Sequence, residues 1–184
     1  NVTAVTATVD QYGDYVEQTD MLELTAIDNT IVEATKELAD QAGITLDTIT
    51  RNILHSGKNV FYCPKADGTV VSDREDLDKT CKLTPEVVNT VAALLKKVNA
   101  PKIDGSYVAI IHPYVAYDLQ NDPEWIEAHK YTTPDNIYEG ELGKIGGVRF
   151  VESSEAKVYE GGVFGCIFLG ANAYGVTEIE GGGL

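Results

Sequence analysis

One stretch constrains this chain more than any other: DNTIVEATKELADQAGITLDTITRNIL, residues 28–54. Its apolar side chains fall at Ile27, Ile31, Leu38, Ala42, Leu46, Ile49 and Ile53, in steps of three, four or seven. That spacing is a single stripe on a helix of period 3.6, flanked here by Val32, Ala39 and Leu54. Asp28 suits the N-cap, where its carboxylate accepts from the free amides of the first turn. Ser56-Gly57 supplies the stop, since glycine takes the left-handed conformation past a helix end. At 1.5 Å per residue the helix is about 40 Å long, a strut for other elements to lean on. Gly43 costs about 1 kcal/mol relative to alanine, so the alternative is a two-helix hairpin broken there. The strut predicts burial of Ile31, Leu38, Leu46, Ile49 and Ile53 on a sheet. It leaves Glu33, Lys36, Glu37, Asp40, Asp47 and Arg51 facing outward.

The remaining pattern is mixed. Residues 1–9, NVTAVTATV, alternate and are rich in Val and Thr, as a strand is. Tyr12-Gly13-Asp14 breaks the run, and Tyr15 to Leu24 reads as a second extended segment. After the long helix, Asn59–Cys63 and Thr69–Ser72 read as strands joined by a turn at Asp67-Gly68. Residues 73–82 are charged and exposed in character. Thr84-Pro85-Glu86 opens the next helix, with Thr as N-cap and Pro in the first helical position. Val87, Val88, Val91, Leu94, Leu95 and Val98 form its apolar face. Tyr107–Ile111 is a continuous apolar run, as in a strand buried on both faces. A short helix follows over 114–120, another over Pro123–His129, and a loop over 131–138. Strands are predicted at Val148–Glu152, Val163–Leu169 and Tyr174–Ile179.

Charge and chemistry narrow the function. Fourteen Lys and Arg against 29 Asp and Glu give a net charge of −15, and the basic residues are scattered singly. Phosphate binding needs them clustered, so a nucleic-acid-binding surface is not expected. No run of eighteen apolar residues and no signal-peptide pattern occurs, so neither membrane span nor secretion is expected. The start at Asn1, without Met, leads one to expect a processed form or a fragment. Cys63, Cys81 and Cys166 are odd in number and lack CxxC spacing, which favours reduced thiols over a Cys63–Cys81 disulfide or a zinc site. Asp10, Asp14, Glu17 and Asp20 form an acidic cluster without calcium-loop spacing. Gly143-Lys-Ile-Gly146-Gly147 reads as turn glycines, not a phosphate loop, because no helix follows. His55 sits in the last turn of the long helix, where a cation suits the dipole, and His129 ends the short helix over Pro123–His129. His112 ends a buried strand, a common catalytic position. A base there needs a nucleophile or polar partner such as Cys166, Ser153 or Asp118, and a structural role is favoured. No catalytic, cofactor-binding or metal residue is therefore assigned.

Five stretches resemble a known family. They are QYGDYVEQTDMLELTAID (11–28), EATKELADQAGITLDTITRNIL (33–54), GSYVAIIHPYVAYDLQNDPEW (105–125), GELGKIGGVRFVESSEA (140–156) and ANAYGVTEI (171–179). In order and spacing the chain resembles tailed-phage major capsid proteins of the Hong Kong 97-like fold, in the branch typified by coliphage N-four. The resemblance implies an α+β fold with a spine helix at 28–55 and a peripheral domain over 1–82, its sheet including 59–72. It implies an axial domain over 83–165, whose central sheet is flanked by helices at 84–98 and 114–120. Residues 166–184 would return toward the peripheral domain and end in a Gly-rich tail. The family's N-terminal arm and extended loop are largely missing from the match. The implied function is self-assembly into the icosahedral head of a double-stranded DNA phage or prophage, as pentamers and hexamers, in the virion and earlier in the host cytoplasm. Scaffold, portal or decoration proteins are the implied partners, with no cofactor, membrane or specific nucleic-acid binding. The alternatives are a cellular nanocompartment shell of the same fold, or a small α/β enzyme using His112.

Overall fold

The computed structural model describes residues 6, 8, 10–27, 29–129 and 143–176. The chain divides into two compact units, residues 1–50 with 175–184, and residues 51–174.

In the first unit, α1 (Asp20–Thr25) replaces part of the extended segment expected over Tyr15–Leu24. Met21, Leu22 and Leu24 are good helix formers, and Thr25 Oγ1 closes the turn by donating to the Met21 carbonyl at 2.5 Å. The strand expected over residues 1–9 falls mostly outside the described residues, as does the capping residue Asp28. Asn29 takes over the capping: its Oδ1 accepts from Val32 N at 3.4 Å and its carbonyl from Glu33 N. From there α2 (Thr30–His55) runs as 26 unbroken residues. The hairpin at Gly43 is thus ruled out, and a Cβ at Gly43 would meet open space.

The stripe on α2 is not buried. No residue of α2 is fully enclosed, and Ile31, Leu46 and Ile53 are 48%, 56% and 63% exposed. Leu38 and Ile49 are half-buried. Periodicity identifies the face a helix must cover, but it does not say which chain covers it. Nothing described in this chain covers it fully.

The second unit holds the sheet. β1 (Tyr107–Ile111) is central, in the order β2-β3-β1-β6. It pairs in parallel with β3 (Val148–Glu152) and antiparallel with β6 (Ile167–Leu169). β2 (Lys144–Ile145) forms a hairpin with β3 through Gly146-Gly147, both at positive φ. These are turn glycines, as expected, and a Cβ on Gly146 would overlap Asn89 Oδ1. On β1, Tyr107, Ala109 and Ile111 are buried while Val108 and Ile110 are half-buried, so one face is less covered than its apolar run suggested.

Helices complete the core. α3 (Pro85–Lys97) starts as expected, with Thr84 Oγ1 accepting from Val87 N, and seats Val88 and Ala92 in the core. α4 (Pro113–Gln120) contributes Leu119, and α5 (Pro123–His129) contributes Trp125, edge-on to Phe150 at 5.6 Å.

Two expectations fail in this unit. No strands form at Asn59–Cys63 or Thr69–Ser72, although the turn between them does. Gly68 N donates to the Lys65 carbonyl, and Lys65 N to the Thr69 carbonyl. Two isolated strands without a third are marginal, and here the flanks do not pair. The single strand expected at Val163–Leu169 is divided at Gly165 between β5 (Val163–Phe164), paired with β4 (Val158–Tyr159), and β6. A Cβ on Gly165 would overlap His55 Cε1, so any side chain there has to displace the His55 ring. The strand expected at Tyr174–Ile179 is absent over 174–176, and its remainder lies outside the described residues, as does the loop over 131–138.

Candidate functional site

The sheet brings some catalytic candidates near one another, with Ser153 N donating to the Ile111 carbonyl beside His112, and Ile167, next to Cys166, paired with Ile110. No side-chain hydrogen bond among the described residues, however, joins His112 to Cys166, Ser153 or Asp118. His112 is the N-cap of α4: Tyr114 N donates to its Nδ1 at 3.2 Å. That bond occupies the one basic nitrogen of a neutral imidazole. Its ring packs on Phe164 at 4.7 Å and Tyr114 at 5.2 Å. Two of the three proposed partners are engaged elsewhere. Asp118 accepts from Lys82 Nζ at 2.9 Å, and Ser153 Oγ accepts from Glu155 N at 3.2 Å. Burial, with a smaller contribution from Cys63, pushes the Cys166 thiol up to about 12. Cys63 rises to about 11, again chiefly through burial and then through Cys81. A nucleophilic cysteine requires the opposite shift. All three cysteines are free thiols.

The other flagged residues are dispersed. Asp10, Asp14, Glu17 and Asp20 are exposed, and Asp14 Oδ1 accepts from Tyr15 N at 2.8 Å. Among the described residues no group of three His, Cys, Asp or Glu is placed to hold a metal ion. No described helix is long and apolar enough to cross a membrane. The side chain of His129 lies outside the described residues.

His55 has the most structured surroundings, and its neighbours are not apparent from sequence. Its ring meets Tyr159 edge-on at 5.8 Å, and its Nε2 is buried without a hydrogen-bond partner, as is Arg51 Nε one turn earlier. Arg51 Nη1 donates to the Glu155 carbonyl and lies 3.5 Å from the Glu155 carboxylate. Arg74 lies 3.7 Å above the Tyr159 ring, and Lys157 Nζ donates to Asn52 Oδ1 at 2.9 Å. Burial, then Lys157, Arg51 and Arg74, lower the His55 pKa. The expectation that a cation suits the helix end is thus outweighed by burial first, and then by three cations already present.

Comparison with known proteins decides the family. A family model described as phage capsid protein matches residues 47–180. The chain belongs to the phage capsid protein family. This capsid chain also shares its α+β fold with two solved structures. One, from Mycobacterium phage Che8, has a TM-score of 0.50 at 18% identity, over 77% of this chain and 47% of that one. The other, the capsid of Ralstonia phage GP4, has a TM-score of 0.50 at 15% identity, over 74% and 48%. The capsid chain thus spans about half the length of the solved structures it matches. No curated protein matches it. Membership gives the chain a structural role, that of a capsid protein.

Proposed function

We propose that the full-length protein carrying this chain self-assembles, as pentamers and hexamers, into the icosahedral head of a tailed phage. The observation that carries this reading is the α2 face. An unbroken 26-residue helix presents Ile31, Leu46 and Ile53 to solvent in an isolated chain, and contiguous exposed apolar surface marks association. In this reading α2 is the spine of a peripheral domain over 1–82. Residues 83–165 are the axial domain, and 166–184 return toward the periphery. The subunit resides in the virion and passes through the host cytoplasm during assembly. Scaffold or portal proteins guide it there. It carries no enzymatic centre, because His112 is a helix cap.

Electron microscopy of the purified full-length protein tests the proposal, with closed shells of regular diameter expected. A protein that stays monomeric at high concentration, with or without scaffold, overturns it. Hydrolytic turnover that vanishes in His112→Ala overturns the non-enzymatic reading.

A further inference from the structure

A chain with a net charge of −15 gathers two of its three arginines, Arg51 and Arg74, with Lys157 near His55, and sets Arg74 and Lys157 over one tyrosine, Tyr159. All of these residues lie within the unit 51–174. Arg51 pairs through Nη1 with Glu155, at both its backbone carbonyl and its carboxylate. Arg74 and Lys157 are not so satisfied: among the described residues no carboxylate lies within ion-pair distance of either. The carboxylates beside Arg74 in sequence, Asp73, Glu75 and Asp76, are exposed and make no ion pair with it. Both cations sit over the Tyr159 ring, Arg74 at 3.7 Å and Lys157 at 5.9 Å. The ring therefore sits against two positive heads; one Lys157 donor is taken by Asn52 Oδ1, which leaves its other two and the Arg74 guanidinium to pair outward.

We propose that Arg74 and Lys157, backed by Arg51, receive exposed carboxylates of a second copy of this chain. The inference rests on the reading that the chain self-associates. Copies that each carry −15 repel one another, so contact needs local opposite charge. A short-range pair with a single carboxylate survives at physiological salt, where the screening length is about 8 Å. Duplex DNA is a poorer occupant, because its phosphates would face the surrounding excess of Asp and Glu.

Zero-length carbodiimide coupling, which joins a lysine amine directly to a carboxylate, tests this on the full-length protein. Equal amounts of nitrogen-15-labelled and unlabelled protein are mixed, coupled, digested and read by mass spectrometry. Mixed-isotope peptides joining Lys157 to an Asp or Glu are expected, with severalfold lower yield in 0.5 M NaCl and in Arg74→Gln. The salt arm needs no variant, so a poorly folding Arg74→Gln does not remove the test. Coupling of Lys157 only within one chain, or a yield indifferent to salt, overturns the inference. So does blockage of coupling by short duplex DNA, which would assign the surface to phosphate. Shells without this link overturn the inference and leave the proposed function standing. The link without shells upholds the contact and overturns the proposed function.

Discussion

Burial and the cations Lys157, Arg51 and Arg74 hold His55 below the ordinary histidine range, and this makes stability depend on pH. A histidine whose folded pKa lies below its unfolded value binds fewer protons when folded. Its neutral form is compatible with full stability above the unfolded value of about 6.5, and stability is lost as pH falls from there toward the folded pKa. The urea midpoint of the chain should therefore drop between about pH 7.5 and about pH 5. The drop should be smaller in His55→Gln, which does not titrate; equal drops would remove His55 as the cause. Gly165 belongs to the same contact. Gly165→Ala pushes a methyl into His55 Cε1 and should cost about 1–3 kcal/mol by denaturant unfolding, whereas Gly13→Ala, which meets open space, should change stability little. The Gly165 contact was invisible beforehand, because the atom that a side chain would meet belongs to a residue distant in the sequence.

Among the elements, α2 separates two properties that its sequence pattern joins. A helix interior is a local matter of caps and propensity, so its length and its continuity through Gly43 could be read from residues 28–57. Burial is not local. Leu46→Ala on the exposed stripe should cost this chain less than about 0.5 kcal/mol, against about 2–5 kcal/mol for Ile111→Ala in the enclosed core. Gly43→Ala should stabilise by up to about 1 kcal/mol, since its site is open. Chemical denaturation of the three variants checks the order, and a large loss in Leu46→Ala would place a covering element on the stripe. α3, β1, α4, α5 and β3 were likewise readable, each carrying its own stop signal or cap. The pair at 59–63 and 69–72 was misread because β-branched runs report a preference for pleated packing, not the presence of a partner. At Val163–Leu169 the apolar run is continuous, and only the crossing at Gly165 divides it.

For the molecule as a whole, charge dominates the expected behaviour toward nucleic acid. Cations that do gather, at Arg51, Arg74 and Lys157, are too few to offset 29 acidic residues. Duplex DNA should bind no tighter than about 10⁻⁴ M at 0.15 M salt, the weak end of non-specific binding. A gel shift with micromolar protein that retained duplex would refute this. Spacing alone offered no reason to pair the flagged residues with one another, whereas the grouping around Tyr159 required three distant segments to be brought together. The sheet order carries one more consequence, for the moment of synthesis. β1 lies between β3 and β6, yet it leaves the ribosome first, and β3 does not begin until Val148. At about 5–20 residues per second, the apolar run Tyr107–Ile111 waits seconds for either neighbour. Throughout that wait neither strand that pairs with it has been made, and both of its edges are open to pairing with another chain.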